Sequence, residues 1–203
     1  MKFTPTELAD LVCTRLSHDL IGNIGALSGA LELLEDSNNV LDDDTKNILT
    51  TATNTLKARQ KFFRIAFGAD TKKMELYELY TICQEYLNSI GSRNFPITFK
   101  AQNISAELGK IFCLCIMLAA EIVIKGGQIN ITVNPKNMCI DLQSDYKLSS
   151  PKIDIYQAIL QDVKPQDNIS QYIALIYLRE LLGHDIPMHI DANENHFQLI
   201  IGQ

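Results

Sequence analysis

The sequence predicts an α+β protein: an N-terminal antiparallel helical hairpin over residues 1–70, followed by an α/β sandwich over residues 71–203, a sheet with helices on one face. Three observations predict it. Two long segments carry apolar residues at three- and four-residue steps and are joined by a short polar turn. Past Gly68 the texture changes to shorter helical segments alternating with strand-like runs. The 203 residues are 46% apolar, which is enough to bury a core.

The first helix is expected from Thr6 to Glu35, where Val12, Leu16, Leu20, Ile24, Leu27, Leu31 and Leu34 recur as one buried face. The segment DSNNVLDDD then breaks the pattern and offers Asp43 or Asp44 as the cap of a new helix. From Thr45 to Gly68 one stripe holds Leu49, Ala52, Leu56, Phe63 and Phe67 and a second holds Ile48, Phe62 and Ala66. A hairpin cannot cover two apolar stripes by itself, so a dimer forming a four-helix bundle is expected.

Beyond the hairpin, MELYELYTICQEYLNSI, ELGKIFCLCIMLAAEIVI and ISQYIALIYLRELLG read as helices, with IDIYQAILQDV between the last two. PITFKAQ, QINITVN, NMCIDLQS, PMHIDAN and HFQLIIGQ read as strands, expected to pair antiparallel.

Composition excludes several classes of function. No apolar run reaches the roughly 20 residues that span a bilayer, and the opening MKFTPTELAD is polar, so a cytoplasmic protein is expected. A net charge of −6 argues against nucleic acid as partner. Cys13, Cys83, Cys113, Cys115 and Cys139 show no paired CxxC spacing and read as reduced core residues. His184, His189 and His196 lack ligand spacing and read as surface or core residues, which leaves no metal site.

The stretch RLSHDLIGNIGALSGALELL holds Gly22, Gly25 and Gly29 inside a helix, where each glycine costs roughly 1 kcal/mol against alanine. At 100° per residue with Leu16 at zero, the apolar stripe spans about −40° to 80° and His18 falls near about 200°. The three glycines fall at about 240°, 180° and 220°, on the histidine's own face. That face is swept clean, so a partner's backbone can approach the imidazole; close packing within the protein is the plainer alternative. In an antiparallel hairpin His18 is about level with Gln60, where Lys57, Lys61 and Arg64 share a face and would place cations near a phosphoryl group. The bland reading of those cations is the ordinary cover of a solvated helix.

RLSHDLIGNIGALSGALELL together with FFRIAFGAD resembles the ChpT family of bacterial histidine phosphotransferases, through the His-Asp-Leu start, the Gly-Ala and Gly-x-Glu-Leu spacing, and the Phe-Phe-Arg-x-Ala-Phe-Gly close of the second helix. The motifs cover about the first 70 residues. The resemblance implies a dimeric hairpin bundle joined to a domain like the ATP-binding domain of histidine kinases that has lost nucleotide binding. It implies His18 as phosphoacceptor and Asp19 as the acid that orients or deprotonates it. Arg15, Gly22, Gly25, Gly29, Lys57, Lys61 and Arg64 are then the candidate partner contacts, the partners being receiver domains of a hybrid sensor kinase and of response regulators. Asn23 stands where similar proteins carry proline.

Nucleotide chemistry can be weighed from the residues alone. A kinase domain needs an Asn-bearing helix for Mg²⁺, an Asp-x-Gly-x-Gly loop and a Gly-rich lid. FCLCIMLAAEIVIKGG has no Asn, IDLQSDYKLSS has no glycine, and Gly126 with Gly127 reads as a helix-to-strand turn. With the resemblance, the expected function is histidine phosphotransfer, and the missing motifs make it one without ATP and without a cofactor of its own, Mg²⁺ being held by the partner receiver. The alternatives are an ATP-dependent histidine kinase core and a non-catalytic dimeric scaffold.

Overall fold

The computed structural model describes residues 2–68, 74–91 and 96–203. The expected boundary between residues 70 and 71 lies outside the described residues.

Helix α1 runs unbroken over Pro5–Asp36, through Asn23 and all three glycines. Its start is a capping box: the Thr4 hydroxyl accepts from the Glu7 amide at 3.2 Å, and the Thr4 amide donates to Glu7 Oε2 at 2.8 Å. Pro5 follows at the first turn, where its missing N–H leaves nothing unsatisfied. Asn38 and Asn39, at φ 55° and 63°, turn the chain in the left-handed region. Helix α2 then spans Asp43–Phe67. Its cap is Asp42, whose carboxylate accepts from the Thr45 amide at 2.7 Å, in place of the expected Asp43 or Asp44.

The remaining elements are α3 (Leu76–Ile90), β1 (Ile97–Gln102), α4 (Gly109–Ile122), β2 (Gly127–Val133), β3 (Asn137–Ser144), α5 (Ser150–Leu160), α6 (Ile173–Leu182), β4 (Met188–Ala192) and β5 (His196–Gly202). Short 3₁₀ turns precede α4 and α6. The strands form one sheet in the order β1-β2-β3-β5-β4. Every pair is antiparallel except β1 with β2, which is parallel because α4 carries the chain back across the sheet between them. That pair corrects the all-antiparallel expectation. The Gly126 amide donates to the Val123 carbonyl at 2.8 Å, which makes the expected helix-to-strand turn, and at the start of β2 a side chain on Gly127 would collide with the Gln143 carbonyl of β3.

One contiguous core joins the hairpin to the sheet. Helix α4 is buried on every side from Phe112 to Ala120, packed between α2, α3 and α6 on one hand and the inward residues Ile129, Ile140 and Leu199 on the other. The lower half of α2 belongs to this core: Phe62 and Ala66 are fully buried, and the Phe62 ring stacks on Tyr86 of α3 at 3.6 Å between centroids. The second stripe of α2 is thus covered at Phe62 and Ala66 by α3 and the core; only Ile48 remains exposed. Conversely, Ile24 and Leu31, expected in the buried face of α1, are each 52% exposed, and Ile21 beside them is 67% exposed. A single α2 is too narrow to cover the whole apolar width of α1. Cys83, Cys113 and Cys115 are buried, as expected for core thiols, whereas Cys13 is exposed on α1.

No described helix is long and apolar enough to cross a membrane.

Candidate functional site

Helix α1 presents His18 outward, its side chain 83% exposed, while the next residue, Asp19, turns inward toward the junction of the hairpin with α3 and α4. The 100° step between neighbours on a helix makes this division possible, since it places one side chain on the solvent face and the other at the flank of the buried stripe. Asp19 Oδ1 lies 3.3 Å from His18 Nδ1. A proton on Nδ1 facing that carboxylate leaves Nε2 with its lone pair directed to solvent.

The other carboxylate oxygen of Asp19 accepts from Arg15 Nε at 2.7 Å. Arg15 in turn places Nη1 2.9 Å from Glu121 Oε1 on α4. Burial opposes the charge on Arg15, but the carboxylates of Glu121 and Asp19 raise its pKa above the ordinary value. Glu121 is buried, and desolvation raises its pKa even though Arg15, Lys152 and a hydrogen bond from Tyr156 pull the other way. The Tyr156 hydroxyl donates to Glu121 Oε2 at 3.0 Å, and Lys152 Nζ donates to the Glu121 carbonyl at 3.0 Å.

Arg59 of α2 reaches the same point from the other side, donating Nη1 to the Asp19 carbonyl and Nη2 to the Ser89 carbonyl of α3 at 3.2 Å. A cavity of about 110 Å³ is lined by Arg15, Asp19, Arg59, Tyr86 and Glu121 among others. The level of Arg59 opposite Asp19 agrees with the expected register of the hairpin, in which His18 is level with Gln60.

The three glycines leave their face open: a Cβ added at Gly22, Gly25 or Gly29 would meet nothing within 4 Å. Close packing inside this chain therefore does not explain them. Of the expected cations, Lys57, Lys61 and Arg64 are exposed on α2. Lys61 pairs with Glu85 of α3 at 3.2 Å, and Lys57 and Lys61 line a groove between α2 and α3 of about 470 Å³. Arg15 is directed into the molecule, where it meets Asp19, Glu121 and the Gln171 carbonyl.

Arg59 and Glu121 escaped the sequence reading. Glu121 did leave a signal, since it is the lone charge within FCLCIMLAAEIVI, and a carboxylate in so apolar a helix requires a partner. Arg59 left none beyond its register. Elsewhere, His184 lies between Asp162 and Glu180, and His196 Nε2 lies 2.8 Å from Asp141. Among the described residues no three His, Cys, Asp or Glu side chains are grouped so as to hold a metal ion.

No family model matches the chain. The chain is 40% identical over 63 residues to the protein phosphotransferase ChpT of Brucella abortus (strain 2308), a match that covers 31% of this chain and 29% of that relative. The chain thus spans under a third of the length of the curated relative in this match. A histidine kinase domain from Erythrobacter litoralis EL346 matches with a TM-score of 0.46 and 12% identity, over 97% of this chain and 91% of that one. A solved bacterial phosphotransferase superposes over 99% of this chain and 98% of its own length, with a TM-score of 0.77 and 20% identity. The chain has the fold of that phosphotransferase from end to end, and over 63 residues it resembles ChpT.

Proposed function

We propose that the chain is a histidine phosphotransferase of a bacterial two-component phosphorelay, moving a phosphoryl group through His18 between a receiver aspartate of a hybrid sensor kinase and response regulators. The observation that carries this reading is the placement of His18: exposed, held at Nδ1 by Asp19, on a helix face that glycine keeps bare. The similarity to ChpT over 63 residues supports it.

In the reaction, the Nε2 lone pair attacks the phosphorus of an aspartyl phosphate. The N–P bond forms as the acyl O–P bond breaks, and the electron pair leaves on the aspartate carboxylate. The Nδ1 proton remains on the ring, facing Asp19. An acyl phosphate and a phosphoramidate are both high-energy species, so the same geometry runs in reverse toward a second receiver. Lys57, Lys61 and Arg64 on α2 are candidate contacts for the incoming receiver, and Gly22, Gly25 and Gly29 the surface along which it approaches. Mg²⁺ would be held by the receiver's own acidic pocket and would neutralise charge on the transferred group. The helix and loop that would hold ATP lack the Asn and Gly residues such a site needs, which supports transfer without ATP.

A second copy of the chain would cover Ile21, Ile24, Leu31 and Ile48, giving a four-helix bundle; their exposure supports a homodimer.

The test is incubation with a receiver carrying labelled aspartyl phosphate, in the absence of ATP. Label on the parent protein in acid-labile, base-stable form, and none on His18→Ala, is the expected result. Equal label on both, or on neither, contradicts the reading.

A further inference from the structure

We propose that Arg15 and Glu121 are positioning residues, a buried tether by which α4 holds the Asp19 carboxylate against the imidazole of His18. The inference rests on the reading of His18 as phosphoacceptor. Asp19 has two oxygens and two different tasks: Oδ1 faces His18 Nδ1 at 3.3 Å, and Oδ2 accepts from Arg15 Nε at 2.7 Å. Arg15 thereby fixes the oxygen of this carboxylate that does not face His18. Arg15 is fixed at its far end by Glu121 Oε1 at 2.9 Å and donates to the Gln171 carbonyl at 3.3 Å. Glu121 is itself fixed by the Tyr156 hydroxyl.

The chemistry of each residue type suits the task. A guanidinium is a rigid planar fork whose nitrogens can serve two acceptors in a set geometry, whereas a lysine ammonium is a single point on a flexible stem. Stability alone does not account for Glu121. An ion pair taken out of water gains little over a well-packed apolar side chain, and α4 is otherwise apolar from Ile111 to Ile124. The one acid in that run lies where α1 passes with Arg15 and Asp19. Arg59, tied to Ser89 and to the Asp19 carbonyl, holds the backbone of the same turn. The phosphoacceptor is therefore oriented by α4, a helix far away in the chain, rather than by the hairpin alone.

The test uses the full-length protein with Arg15→Lys, Glu121→Ala and Glu121→Gln. The side-chain ¹⁵N shifts of His18 report the tautomer, and a receiver carrying labelled aspartyl phosphate reports uptake. The parent is expected to hold one tautomer, protonated at Nδ1. Arg15→Lys and Glu121→Ala are expected to give a tautomer mixture, with uptake slowed on the order of ten- to a hundredfold by the misplaced nucleophile. Glu121→Gln, which keeps an oxygen acceptor for Arg15, is expected to restore the single tautomer. Parental tautomer and rate in Arg15→Lys overturn the proposal, and this variant decides if Glu121→Ala does not fold. A parent that takes no label defeats the phosphotransfer reading, while the tautomer comparison still decides the tether.

Discussion

His18 Nδ1 lies 3.3 Å from Asp19 Oδ1, and the rest of the imidazole stands in solvent on a helix that stays open at Gly22, Gly25 and Gly29. Under the proposed phosphotransfer, this contact would give the ring nitrogens separate work, Nδ1 keeping a proton against the carboxylate and Nε2 reacting.

Replacing Asp19 with Asn keeps the size of the side chain but removes the charge that favours the proton at Nδ1. Phosphoryl uptake by Asp19→Asn is expected to slow on the order of 100-fold. Single-turnover uptake from a phosphorylated receiver measures this, and a parental rate would remove Asp19 from the mechanism.

The glycine face separates stability from access. Because added Cβ atoms at Gly22, Gly25 and Gly29 meet open space, each Gly→Ala change is expected to stabilise the free protein, by up to roughly 1 kcal/mol. A large side chain such as Gly25→Tyr should leave the melting temperature near the parent's while slowing uptake at least about tenfold, by blocking close approach of the partner. Thermal melts and transfer rates on the same samples check both halves.

Ile24 and Leu31 are exposed apolar residues on the flank of α1. Ile24→Glu with Leu31→Glu is expected to convert a dimer into a monomer of 22.8 kDa, read by light scattering after size exclusion. A parent that is already monomeric contradicts the bundle.

Glu121 gives the stability a pH dependence. Its pKa is raised in the fold, first by burial, above the ordinary 4.5, against the pull of Arg15 and Lys152 and with Asp19 adding to the rise. A raised carboxyl contributes stability that is fully present below the unfolded value and lost as pH rises through the folded one. Glu121→Gln cannot ionise, so its melting temperature relative to the parent is expected to climb as pH rises above the ordinary 4.5. A difference that stays flat over that range contradicts the direction.

Phe62 anchors the hairpin to α3 through its stack on Tyr86. Phe62→Ala is expected to lose about 3–5 kcal/mol in denaturant unfolding.

The elements themselves were legible. The periodic segments of α1 and α2 and all five strand-like runs match the observed ones to within a few residues, because apolar period and turn residues are local properties. What a stripe packs against is not local. Phe62 and Ala66 read as a surface awaiting a second copy, yet α3 and the core cover them; Ile24 and Leu31 read as buried, yet α2 is too narrow to reach them. The direction of β1 against β2 follows from the α4 crossover and not from either strand's pattern. At the site, His18, Asp19 and the glycines were legible because they share one helix. Arg59 and Glu121 were not, because they arrive from α2 and α4 and only the tertiary fold brings them to Asp19.

The measurement that tests the central claim most directly is ³¹P and ¹⁵N NMR of the protein phosphorylated by a receiver without ATP. The account predicts one phosphoryl group per chain, bonded to Nε2 of His18. A phosphoryl group on Nδ1, on any other side chain, or on none would contradict it.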